Sequence, residues 1–339
     1  MNSGRMVKEG PRLRDVAQAA GVSVATASKA LNGRQDVSPA TRDRVMQASR
    51  ELSFRPNRAA QQLQGGPSGT VGLIANDLDG RFSIPIMMGA EDGFGIENVS
   101  VFLTDARGDL IRERHHLEAL MGRGVDGFIF VGSRTDPRPP IPIDVPVPVV
   151  HVYAPSDEPE ALSFVPDNVD AGRQATRHLL DLGREKLALI SGDPGYAATT
   201  DRHTGIREVL DEAGKELVAP VRAGEWSEAW GRRAVRDLLA SGAGFDGLIC
   251  GNDQIARGAL DSLARAGVAV PEDVAVVSHD NWEVLATECT PQLTTVDMRF
   301  RTLGQMASQA LLRLMNGEQE TGVVTLPCSL VVRESTLGA

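Results

Sequence analysis

LRDVAQAAGVSVATASKALNGRQDVSPATRDRVMQASRELSFRPNRAAQQLQ, residues 13–64, decides the reading of this chain. Val16, Ala17 and Ala20 are apolar at helical spacing, and Gly21 supplies the positive φ that a tight turn between two helices needs. Ser23 is placed to cap a second helix, which runs from Val24 through Leu31 and fades at Asn32 and Gly33. Ser38 as N-cap and Pro39 at the first helical position open a third, with Val45, Ala48 and Leu52 as its apolar face. Three short helices with a tight first turn spell a helix-turn-helix head over residues 1–55, its second helix the candidate reader of DNA. Residues 56–69 then hold a short hinge helix and the flexible joint GGPSG.

Charge follows the same division. Residues 1–66 hold eleven Lys or Arg against five Asp or Glu, a net +6, whereas the remaining 273 residues are net −16 within a total of −10. An acidic average would argue against nucleic acid, but the field that steers a polyanion is local to the head. Three widely spaced cysteines without CxxC or Cys/His spacing argue against disulfides and zinc, and so for a reducing compartment. No apolar run approaches the ~20 residues of a membrane span, and the first residues lack an apolar signal core, so a cytoplasmic location is expected.

Beyond residue 70 strand and helix patterns alternate. Strands are expected over 71–75, 99–103, 127–131, 147–152, 187–191, 247–250 and 274–278. Helices are expected over 86–95, 111–123, 170–182, 201–213, 228–240, 254–266 and 300–315. Apolar strand runs between amphipathic helices imply α/β architecture with parallel sheets covered on both faces, and this many units imply two subdomains. Ligands of such sheets sit at the carboxyl ends of strands, and a cleft between two sheets makes a closable site.

Several motifs in fixed order resemble one family, the LacI/GalR bacterial transcriptional regulators. They are DVAQAAGVSVATASKALNG, VSPATRDRV, FRPNRAAQQL, VGLIANDLDGRF, DNVDAGRQATRHLLDLG, DRHTGIREVL, GNDQIARGAL, PEDVAVVSHDN, PQLTTVDMRFRTLGQMA and LVVREST, which together span essentially the whole chain. The resemblance implies a periplasmic-binding-protein-like body, 70–339, with an N-subdomain of about 70–166 and 299–322 and a C-subdomain of about 167–298 and 323–339. It also implies a homodimer that reads a pseudo-palindromic double-stranded operator, since two-fold symmetry in the protein demands it in the half-sites. No leucine heptads follow LVVREST to build a tetramer.

The resemblance assigns Val24, Ala25 and Lys29 to base reading. Val24 and Ala25 can only touch thymine methyls or sugar edges, whereas Lys29 either donates to guanine O6 and N7 or contacts a phosphate without reading sequence. Ser23, Thr26, Asn32, Arg55 and Arg58 belong to the backbone-contacting set, Asn57 to the DNA-binding residues without a finer role, and Leu63 to a minor-groove wedge. In the body the resemblance assigns Arg202, Asn252 and Asp280 to effector binding, with Phe82, Trp226 and Phe300 as apolar or aromatic cleft positions. Asp253 reads as the cap of the helix that follows it; Trp282 lines the cleft or packs; Asp79 and Arg81 touch ligand or belong to a surface loop.

The effector class implied is a carbohydrate, with a nucleoside or purine, or a phosphorylated partner protein, as alternatives. Nucleophile elbow, Walker loop, GxGxxG after a strand and metal-ligand spacing are all absent from the sequence, so neither an enzyme nor a cofactor is expected. The basic head and the missing signal core argue against a secreted sugar-binding protein.

Overall fold

The computed structural model describes residues 11–31, 36–54, 66–76, 81–95 and 99–337. The chain divides into two compact units, residues 1–68 and 69–339.

The first unit contains α1 (Leu13–Ala19), α2 (Val24–Leu31) and α3 (Pro39–Glu51). Gly21 sits at φ +63 between α1 and α2, a left-handed conformation that glycine adopts without steric cost. Ser38 caps α3 by accepting the Thr41 N–H, with Pro39 at its first position. Val16, Ala17, Ala27, Ala30, Val45 and Ala48 meet as the buried core, with Leu52 packed at its margin. Small residues dominate because three short helices must approach closely.

The second unit holds two six-stranded sheets. The first has the order β11-β5-β4-β3-β1-β2 and is parallel throughout. Its strands are β1 (Thr70–Ala75), β2 (Ser100–Asp105), β3 (Gly127–Val131), β4 (Val149–Val152), β5 (Leu162–Pro166) and β11 (Gly322–Leu326). The second sheet, β12-β10-β9-β8-β6-β7, is parallel except for β12 against β10. It comprises β6 (Leu187–Ser191), β7 (Arg222–Ala223), β8 (Gly247–Cys250), β9 (Ala275–Asp280), β10 (Thr294–Asp297) and β12 (Ser329–Val331). The chain therefore crosses between subdomains three times, after β5, β10 and β11. The last crossing follows Leu326, not residue 322 as the sequence suggests, because β11 pairs with β5 through Gly322↔Leu162 to Leu326↔Pro166.

Glycines bring pairs of helices on these sheets into backbone contact. A Cβ on Gly89 would lie 1.9 Å from the Arg301 carbonyl oxygen, so the helices Ser83–Phe94 and Phe300–Met315 touch backbone to backbone. Gly205 makes the same approach to Val169, which fixes the Ala197–Glu212 helix against Asn168–Asp181. That second contact fixes the stretch of helix that carries Arg202.

Candidate functional site

In the head, Ser23 caps α2 by accepting the Thr26 N–H at 3.0 Å, and the Ser23 and Thr26 hydroxyls lie 2.9 Å apart. Ala27 and Ala30 turn into the core while Ser23, Val24, Ala25 and Lys29 are exposed, so α2 turns these four side chains to solvent. Val24 is 49 % exposed, a large apolar side chain left in water. The Lys29 ammonium is not free: it lies 2.5 Å from Asp36 Oδ2, and both side chains remain about half exposed. Asn32, Arg55, Asn57, Arg58, Leu63 and Asp79 fall outside the described residues.

The body brings its polar candidates together at the carboxyl ends of β6, β8 and β9. Arg202 is buried and spends its whole guanidinium locally. Nε donates to Asn168 Oδ1 at 2.9 Å, Nη1 to the Gly251 carbonyl at 2.5 Å and Nη2 to Asp280 Oδ1 at 3.1 Å. Asp280 closes β9 at φ +99, a strained backbone for any residue but glycine. Its second oxygen, Oδ2, lies 3.5 Å from Arg81 Nη2 and accepts no hydrogen bond. Burial alone would raise the Asp280 pKa, but Arg81, Arg202 and the Arg202 hydrogen bond outweigh it and hold the carboxyl below its ordinary value.

Arg81 enters from the other subdomain. It precedes the Ser83–Phe94 helix, donates from Nη1 to Gln254 Oε1 at 3.0 Å, and stacks over the Phe82 ring at 4.5 Å. A second tie crosses between the same two halves: the Ala197 N–H donates to Asp136 Oδ1 at 3.2 Å, and the Arg134 guanidinium lies over the Tyr196 ring. Asp136 Oδ2 is buried without a partner.

Phe82 and Phe300 meet each other and Tyr153 in a buried trio, with centroids 4.5, 5.2 and 5.6 Å apart. Their faces are largely spent on one another, so they form an apolar wall. Trp226 packs against Gly192, where a Cβ would come within 2.4 Å of its ring, and edge-on to Tyr196 at 5.7 Å. Its indole Nε1 is buried without a partner.

Asn252, and not Asp253 as expected, caps the helix that follows. Asn252 is the cap: its Oδ1 accepts the Ile255 N–H at 2.9 Å, and its Nδ2 is 3.5 Å from Gln254 Oε1. Asp253 turns inward and accepts from the Ser278 hydroxyl, from Thr295 Oγ1 at 2.7 Å and from the Trp282 N–H at 2.6 Å. Burial, then the charge of Asp280, push its pKa up to about 7 against the pull of those donors. His279 is held neutral, pushed down to about 3 by burial and then by Arg202. Its Nδ1 lies 2.9 Å from the Cys250 carbonyl, which assigns the proton to that nitrogen.

Tyr153, Arg134, Asp136 and Gln254 join the site although sequence reading did not select them. Three follow the carboxyl ends of β3 and β4, which is the one signal that could have found them.

Comparison with known proteins agrees with both units. The model of bacterial regulatory proteins, lacI family, matches residues 12–57, and that of the periplasmic binding protein-like domain matches residues 176–336. The HTH-type transcriptional regulator CelR of Thermobifida fusca is 34 % identical over 335 residues, covering 96 % of this chain and 98 % of that protein. The chain belongs to the LacI family. As a LacI-family protein it is a DNA-binding transcriptional regulator and not an enzyme. Its fold matches the crystal structure of the lac repressor dimer bound to operator and the anti-inducer ONPF, with TM-score 0.73 and 29 % identity, covering 97 % of this chain and all of that one. It also matches a CelR–cellobiose complex, with TM-score 0.68 and 31 % identity over 96 % of this chain and 99 % of that one. No described helix of this LacI-family chain is long and apolar enough to cross a membrane.

Proposed function

We propose that this LacI-family regulator is a cytoplasmic repressor that binds a pseudo-palindromic operator as a homodimer and releases or grips it according to a carbohydrate held between its two body subdomains. One observation carries the reading. Three buried polar atoms make no hydrogen bond: Asp280 Oδ2, which meets only the Arg81 guanidinium at 3.5 Å, Asp136 Oδ2 and Trp226 Nε1. Two acceptors and one donor, beside an aromatic wall, suit a ring bearing several hydroxyls. Asp136 Oδ2 and Trp226 Nε1, left unpaired, cost about 1–3 kcal/mol each, which a hydroxylated ligand would recover.

Cellobiose leads the ligand panel because a relative of similar architecture is described in complex with it. The head supports operator reading through Lys29, and the hinge segment supports a Leu63 wedge on the strength of the family motif. Leu110, Ile111 and Val284 leave apolar surface on both subdomains, 57, 80 and 67 % exposed, which supports a second copy as neighbour.

The mechanism is a population shift. A ligand that bonds Asp280 and Asp136 at once favours one spacing of the subdomains, and hence one arrangement of the paired hinges. Thermal unfolding against mono- and oligosaccharides, sugar phosphates, nucleosides and purines tests the effector class, because a ligand of the folded state raises the midpoint by mass action. A stabilising sugar that also alters operator affinity supports the reading; stabilisation by a purine alone replaces it.

A further inference from the structure

A cavity of about 700 Å³ lies in the N-subdomain, and none of the polar residues around Asp280 lines it. It opens beside the first residues of β4, β5 and β11, the opposite strand ends from those that carry Tyr153. Its floor is apolar, formed by Ile143, Val149, Leu162 and Leu314 among others. Its rim is acidic: Asp144, Glu158, Glu160 and Glu318 make no side-chain ion pair or hydrogen bond among the described residues, whereas Glu320 is taken up by Arg313.

His151 lines this cavity at 2 % exposure, with its Nδ1 buried and without a partner. Burial, then the charge of Arg138, push its pKa down to about 4, so the ring is neutral at physiological pH. A neutral imidazole beside the apolar floor adds no positive charge that would repel a cation held at the acidic rim. The walls are set in advance. Arg138 Nη2 donates to the buried Glu113 at 2.7 Å and its guanidinium stacks on Phe130, whose ring in turn stacks on His151 at 5.5 Å. Arg138 also exchanges backbone hydrogen bonds with Pro155 and Asp157, which anchors the segment that carries Glu158 and Glu160.

We infer that this cavity is a binding site for a small organic cation, an amine with an apolar body, whose ammonium faces the Asp144, Glu158 and Glu318 rim and whose body covers the apolar floor beside His151. The volume falls in the range of small-molecule sites, about 300–1,000 Å³. A bare metal ion fits poorly, because no group of three or more His, Cys, Asp or Glu among the described residues is arranged to hold one.

The test uses the full chain and three matched probes, benzylamine, benzyl alcohol and benzoate, followed by ligand-observed NMR and calorimetric titration. The site predicts saturable binding of benzylamine, weaker binding of the alcohol and none of benzoate. The double substitution Glu158→Gln, Glu318→Gln, both on exposed positions, weakens benzylamine binding by about fivefold to tenfold. Asp280→Asn in the effector cleft leaves it unchanged. The inference is overturned by absence of saturable binding, by equal affinity for amine and alcohol, or by loss with Asp280→Asn instead of the rim variant. Binding of an oligolysine peptide without the free amine would equally overturn it, in favour of a protein partner.

Discussion

Arg81 Nη2 lies 3.5 Å from Asp280 Oδ2, so a residue of the N-subdomain shares with Arg202 the carboxylate that ends β9 in the C-subdomain. The two subdomains are therefore tied through the Asp280 carboxylate. An effector hydroxyl that reaches Asp280 Oδ2 must share it with Arg81 or displace it.

Removing that tie should loosen the unliganded body. Asp280 keeps Arg202, so Arg81→Gln should cost only about 1 kcal/mol, equivalent to about 2–4 °C in the body's thermal midpoint. Calorimetric unfolding without ligand checks it. An unchanged midpoint would mean that the cross-cleft contact contributes nothing in solution.

Asp253 gives a pH signature with a definite sign. Its folded pKa of about 7 stands above the ordinary carboxyl value, so the folded state holds a proton that the unfolded chain has released. This contribution is present below the unfolded pKa and is lost as pH rises through 7. Asp253→Asn should therefore lose less stability than the parent between pH 5 and pH 8, as read from thermal midpoints at both. A parallel decline in the two proteins would contradict the assignment.

The Lys29–Asp36 pair sets up a competition in the head. Lys29→Ala should weaken operator binding by about tenfold and binding to random duplex far less, since a base contact is worth roughly 1–3 kcal/mol. Asp36→Asn should tighten both modestly, by about twofold, because an exposed ion pair worth a few tenths of a kcal/mol no longer holds the ammonium back. Anisotropy titrations of both duplexes distinguish base reading from a phosphate contact, for which Lys29→Ala would weaken the two alike.

Gly21→Ala places a Cβ in the left-handed region. Nothing lies within 4 Å of that Cβ, so the cost is conformational alone, about 1 kcal/mol. The head should lose helicity on heating at lower temperature while the body's transition stays in place.

The parallel frame was legible because buried strands such as Gly127–Val131, Leu187–Ser191 and Gly247–Cys250 are uninterrupted apolar runs, and the structure has them with those same bounds. β10 was missed because it reads TTVD: Thr294 and Thr295 are fully buried, and their hydroxyls bond to the Arg333 carbonyl and to Asp253. β11 was missed because Val323, Val324 and Thr325 are exposed at a sheet edge, which leaves no contrast to read. Family motifs placed Arg202 and Asp280, but no local pattern distinguishes a cap from an inward acid in Asn252–Asp253. Asp253 turns inward because Ser278 and Thr295, on other strands, supply donors to it alone, which leaves Asn252 as the cap. The same holds for Arg81, whose partners Gln254 and Asp280 are distant in sequence.

The most direct test of the account is operator affinity measured with and without a stabilising sugar, for the parent chain and for Asp280→Asn, on a duplex selected by the protein from random sequence. The parent should change its operator Kd by about tenfold or more on saturation with the sugar, a coupling of roughly 1–3 kcal/mol. Asp280→Asn, nearly isosteric and still able to meet Arg202 through its amide oxygen, should bind the operator as the parent does and show no response to the sugar. A full response in Asp280→Asn would contradict the placement of the effector between the subdomains.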